Sequence, residues 1–177
     1  MGMQIILCVE SDKRAGTDNI YIKETINRFY EYGNELKISF VNMGGKSNYN
    51  SSKVKSAVKQ LKSDYKIGKT EIIYCIDLDR IEVNPDQARE NKEIEKYIAD
   101  NGYSLIWFCH DVEEVYLGQS LDKSKKTRSA MNFKTRSAID TIDYKKLDSV
   151  KIKSGASNIL FILDKYMCRK TQKIGKS

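Results

Sequence analysis

Four short apolar runs constrain this chain most. They are residues 3–9 (MQIILCV), 36–43, 71–76 (EIIYCI) and 103–109 (YSLIWFC). Each is rich in β-branched or aromatic residues and too short for a buried helix, so each reads as a strand covered on both faces. Between them lie segments with apolar residues at helical spacing. In residues 19–32 these are Ile20, Ile22, Ile26, Phe29 and Tyr30, with Thr17 or Asp18 as N-cap and Gly33 as stop. In residues 52–65 they are Val54, Ala57, Val58, Leu61 and Tyr65. Residues 84–86 read as a turn, 87–101 as a helix stopped by Gly102, and 111–117 as the start of another. Residues 155–168 read as a closing helix. The alternation predicts an α/β fold, with a mainly parallel sheet of four or slightly more strands flanked by helices.

The 177 residues suit a single domain with a real core. No apolar run approaches the roughly 18 residues of a membrane span. The run at residues 4–9 is too short for a signal peptide, which predicts a cytoplasmic protein without membrane association. One histidine, His110, excludes multi-histidine zinc sites. Cys8, Cys75, Cys109 and Cys168 form no C-x-x-C pair, and three of them lie in apolar runs as small hydrophobes. Gly44-Gly45-Lys46-Ser47 lacks P-loop spacing, and no G-x-S-x-G elbow is present.

The net charge of +7 is unevenly placed. Residues 121–155 hold ten cations: Lys123, Lys125, Lys126, Arg128, Lys134, Arg136, Lys145, Lys146, Lys151 and Lys153. Four anions accompany them, so the segment carries +6. Arg169, Lys170, Lys173 and Lys176 follow. The remaining chain carries −3. A basic C-terminal third on an acidic body points to a polyanionic partner. Residues 121–169 read as a basic, mainly helical segment, with a short helix or two over 121–150, packed on a core of residues 1–120, and 170–177 as a flexible tail.

Function in open parallel sheets gathers beyond the carboxyl ends of the strands. There the first strand ends in Glu10, and the third ends in Asp77 and Asp79. Asp111, Glu113 and Glu114 follow the fourth. Such carboxylates repel one another unless a cation neutralises them, and all-oxygen ligands favour Mg2+ or Mn2+. An extended Asp77-Leu78-Asp79 would aim both carboxylates at one ion. Asp111 and Glu114 have a second reading, as a D-x-x-E capping box.

These residues resemble the Toprim domain of topoisomerases, primases and nucleases, whose signature is a Glu after the first strand and a DxD after the third. Within it the chain is most similar to the RloB-like and OLD-like proteins of bacterial antiviral defence. The matching residues are Glu10-Ser11-Asp12-Lys13, Gly44-Gly45-Lys46, Asp77-Leu78-Asp79-Arg80 and Glu114-Val115-Tyr116-Leu117, in that order across residues 3–120. The resemblance implies a Toprim/Rossmann-like fold and a Mg2+-dependent nuclease acting with an AAA- or ABC-type ATPase partner, with oligomer formation left open. It implies that Glu10, Asp77 and Asp79 hold metal, with Glu114 or Glu113 completing a second site. Lys13, Lys46 and Arg80 would neutralise phosphate. Lys123, Lys125, Lys126, Arg128, Lys134 and Arg136 would track the backbone of DNA or RNA. Two alternatives stay open: a non-catalytic module binding nucleic acid or a partner, and a small RNA-processing Toprim ribonuclease. Ser11, where those ribonucleases carry glycine, fits the latter less well.

Overall fold

A computed structural model describes residues 2–80 and 84–171. Its centre is a five-stranded sheet built from β1 (Gly2–Val9), β3 (Leu36–Asn42), β4 (Gly68–Asp77), β5 (Ser104–Cys109) and β6 (Ala156–Ser157), in the order β3-β1-β4-β5-β6. The first four run parallel, and β6 adds an antiparallel edge. The α/β architecture read from the alternating runs is the one the chain adopts.

Strand periodicity explains the layers. On β1, Ile5, Leu7 and Val9 face one way and pack with α1 (Thr17–Phe29), α4 (Val112–Leu117), α5 (Lys123–Thr135) and α7 (Ile159–Leu163). Ile6 and Cys8 face the other way, against α2 (Ser52–Asp64) and α3 (Pro85–Asp100). On β4, Ile73 and Cys75 belong to the first layer, and Ile72, Tyr74 and Ile76 to the second. A central strand covered on both faces must be apolar at every position, which is why these runs show no alternation. Gln4 is the exception, and it is satisfied: it donates to Ser39 Oγ at 3.3 Å and accepts from Thr70 Oγ1 at 3.2 Å. Cys8, Cys75 and Cys109 are buried and Cys168 is exposed.

Helix starts follow local chemistry. Ser51 Oγ accepts from the Val54 amide at 3.3 Å and opens α2. Asn84 caps α3 with Pro85 in the first turn. Asp111 Oδ1 accepts from the Glu114 amide at 2.7 Å and opens α4, the capping half of the D-x-x-E reading.

Three expectations differ from the structure. Neither Thr17 nor Asp18 caps α1; Gly16, with φ 52°, precedes it, and Asp18 turns back to the β1 end. That helix stops at Phe29, because β2 (Tyr30–Glu31) pairs antiparallel with β7 (Cys168–Arg169). The expected closing helix divides into β6, α7 and β7, since Ala156 and Ser157 complete the sheet edge against Cys109 and Phe108. Between α5 and β6 lie a 3-10 turn at Ala138–Thr141 and α6 (Tyr144–Leu147). Of the expected flexible tail, Lys170 is anchored, its amide to Phe29 O at 2.8 Å and its Nζ to Asn27 O at 2.7 Å. Residues 172–177, including Lys173 and Lys176, lie outside the described residues, as do residues 81–83.

The basic helix α5 is anchored in the core by Ala130 and Phe133, and Phe133 packs on Tyr21 and Tyr116. Phe133→Ala should therefore lower the unfolding free energy by about 3–5 kcal/mol in a denaturant titration, with far-UV and near-UV transitions remaining coincident.

Candidate functional site

The carboxyl ends of β1 and β4 lie side by side, because the parallel register sets Val9 opposite Cys75. Glu10 therefore arrives beside Asp77, and its Oε1 accepts from the Asp77 amide at 2.7 Å. Asp77 Oδ1 in turn accepts from the Val112 amide at 3.1 Å, at the start of α4. The Gly44-Gly45 turn, with φ of 74° and 124°, closes over the end of β1, and the Gly45 amide donates to Glu10 O at 2.8 Å. These positive φ values are what glycine supplies without steric cost.

A cleft of about 340 Å3 opens here, lined by Glu10, Asp18 and Asp77 on one side and by Lys123, Lys126 and Thr127 of α5 on another. Glu10 and Asp77 each keep a window onto this cleft while protein surrounds them elsewhere. Asp18 is buried, its Oδ2 accepting from the Ser11 amide at 2.9 Å. In the sequence Asp18 carries only the local signal of a helix cap. Its position on the first turn of the helix after β1, beyond the strand ends, was the signal available.

The electrostatics follow from crowding. Burial pushes the Glu10 carboxyl up to about 8, against the opposing pull of the Asp77 amide and Lys46. Burial, then the neighbouring Glu10, Asp18 and Asp111 carboxylates, hold Asp77 well above the usual range. Asp18 is raised by burial despite its hydrogen bonds. Three neighbouring carboxyls thus lack sufficient positive charge.

Glu113 and Glu114 have protein partners, though burial still raises the Glu113 carboxyl against the pull of Lys126. Glu113 is buried and ion-paired with Lys126 at 2.7 Å. Its Oε1 and the nearby Tyr21 hydroxyl are buried with no hydrogen-bond partner among the described residues. Glu114 accepts from Ser154 Oγ at 2.6 Å, with His110 Nδ1 at 3.1 Å and Arg80 Nη2 at 3.4 Å. Burial works against its ionised form, but Ser154 and His110 outweigh it and the carboxyl lies below its ordinary value.

Asp77 and Asp79 do not aim their carboxylates to the same side, as an extended strand end would. Asp79 adopts φ 54°, which breaks strand alternation and turns its carboxylate to an ion pair with Lys46. Lys46 differs too: it is buried and bonded internally, to Asp77 O at 3.3 Å and Asn91 Oδ1 at 3.1 Å, rather than exposed to a phosphate. Glu113 and Glu114, the alternatives for a second metal site, are adjacent on α4 yet serve different partners, and neither lines the cleft. Arg80 is exposed and paired with Glu114. Lys13 is exposed and not among the residues lining the cleft. Lys125, Arg128, Lys134 and Arg136 are exposed on or just after α5, Lys125 pairing with Asp122 at 3.5 Å.

Among the described residues, no three His, Cys, Asp or Glu side chains stand gathered at metal-ligand spacing. The donor set nevertheless suits a hard divalent cation. It is all oxygen, undercompensated in charge, and open to a cleft. Compared with known proteins, the chain matches no family model, no curated protein and no solved structure. No helix among the described residues is long and apolar enough to cross a membrane.

The raised Glu10 carboxyl has a measurable consequence. Its contribution to stability is present in full below its ordinary value of 4.5 and is lost as pH rises through about 8. Without divalent ions, wild-type unfolding free energy should fall relative to that of Glu10→Gln between those values. Denaturant titrations at a series of pH values check this; parallel pH profiles for the two proteins would contradict it.

Proposed function

We propose that this chain is a Mg2+- or Mn2+-dependent nuclease that hydrolyses phosphodiester bonds in nucleic acid. The observation that carries the reading is the undercompensated trio Glu10, Asp18 and Asp77, facing a cleft whose other wall carries Lys123 and Lys126. Glu10 and Asp77 would hold the ion, with Asp18 beside them. The ion, when bound, supplies an activated water and neutralises charge developing on the phosphate. Asp77 is oriented by the Val112 amide, and Glu10 by the Asp77 amide, so both carboxylates are set before substrate arrives. Lys123, exposed at the cleft rim, meets the phosphate backbone, with Thr127 one turn further along the same face of α5.

The similarity of the Glu10, Gly44-Gly45 and Asp77-Asp79 motifs to Toprim proteins supports the same chemistry. From it comes the fuller reading of a cytoplasmic antiviral effector working with an ATPase partner.

A second reading has one observation in its favour. Asp79 and Glu114 are already committed to protein partners, which suits a module that binds nucleic acid and keeps its ion for structure.

Purified protein with Mg2+ or Mn2+ should cleave single- or double-stranded DNA or RNA. Asp77→Asn should lower the rate by more than about 100-fold, beyond the usual loss for a supporting partner of a metal ligand, with the fold retained by circular dichroism. Unchanged cleavage by Asp77→Asn would overturn the metal mechanism. Binding without cleavage under any metal, with or without its ATPase partner, would favour the second reading. Lys123→Ala should weaken binding across sequences and flatten the salt dependence by about 0.7–0.9 in log–log slope, read by fluorescence anisotropy, whereas Lys125→Ala, on the opposite face of α5, should change it less.

A further inference from the structure

We propose that Lys46 is a built-in cation that keeps Asp79 out of the metal shell, so that the site takes one divalent ion rather than two. The proposal rests on the metal-dependent reading and goes beyond it by fixing the number of ions and the residue responsible.

The geometry around Lys46 is saturated. An ammonium has three N–H donors. Those of Lys46 meet Asp79 Oδ2, Asp77 O at 3.3 Å and Asn91 Oδ1 at 3.1 Å. Its side chain is only 9% exposed, so water does not compete effectively for those donors. No donor remains for a phosphate oxygen.

The acceptors are held from behind. Asn91 turns its other end to the chain, Nδ2 donating to Leu78 O at 2.9 Å. The Leu78 amide donates to Phe108 O at 2.9 Å and the Asp79 amide to His110 O at 2.9 Å. These bonds fix the backbone at Asp79, so only rotation of its side chain sets where the carboxylate points, and Lys46 holds that rotation. The left-handed φ of 54° at Asp79 is fixed by the same backbone bonds. A second divalent ion that took Asp79 Oδ2, or both oxygens of that carboxylate, would have to displace Lys46 and leave a buried ammonium without its counter-charge, which is strongly unfavourable.

The charge arithmetic agrees. Asp79 and Lys46 cancel. Glu10, Asp18 and Asp77 are left to share one divalent ion.

Manganese titration of the purified full chain tests this, followed by calorimetry and by the electron paramagnetic resonance of free Mn2+. The wild type should bind one Mn2+ per chain. Asp79→Asn should also bind one, because asparagine tolerates the left-handed backbone and its amide oxygen still accepts from Lys46. Its affinity should fall by less than about tenfold, where loss of a ligand's supporting partner costs about 10–100-fold. Lys46→Met, checked for folding by circular dichroism, should release Asp79 and raise the count to two. Two ions on the wild type, a tenfold or greater loss in Asp79→Asn, or one ion on a folded Lys46→Met would each overturn the proposal while leaving the metal reading intact. No ion on the wild type would overturn both. If Lys46→Met does not fold, the wild-type count and Asp79→Asn still decide.

Discussion

The hydrogen bond from the Asp77 amide to the Glu10 carboxylate couples the ends of the two central strands, and the candidate site depends on it. It exists because β1 and β4 pair in parallel with Val9 opposite Cys75. A one-residue slip would send Ile6 and Cys8 into the layer of α1 and α5, and would separate the two acids. The same apolar register that builds the core thus positions the chemistry.

Around that coupling the protein divides its acidic residues into two groups. Asp79, Glu113 and Glu114 are matched by Lys46, Lys126 and the His110–Arg80–Ser154 set. Glu10, Asp18 and Asp77 form no side-chain ion pair among the described residues, and burial raises all three, as it does Glu113. A fold gains nothing from leaving three such groups together unless something positive joins them. The nearest basic element is α5, which is part of the same core through Phe133 and so holds its lysines at a fixed place on the rim.

Much of this was legible in the sequence, for physical reasons. Strands covered on both faces must be continuously apolar, so β1, β3, β4 and β5 announced themselves, and the residues just beyond them had to share one edge. Glu10 and Asp77 followed directly. The roles of Asp79 and Lys46 were hidden, because one left-handed residue reverses the direction that strand alternation implies. Asp18 was hidden behind its resemblance to a helix cap. Asn91 carries no local signal at all: its role arises only because α3 lies across the Leu78 carbonyl. The edge strand β6, two residues long, is set by its partner β5 and has no periodicity to read.

The central claim is that a divalent ion joins Glu10 and Asp77 at the head of β1 and β4. Anomalous diffraction from a crystal soaked in Mn2+ tests it most directly. One anomalous peak is expected in the cleft, bound by Glu10 and Asp77 with Asp18 close by, and Asp79 still paired to Lys46. A cleft with no peak, or a peak held instead by Glu113 or Glu114, would contradict it.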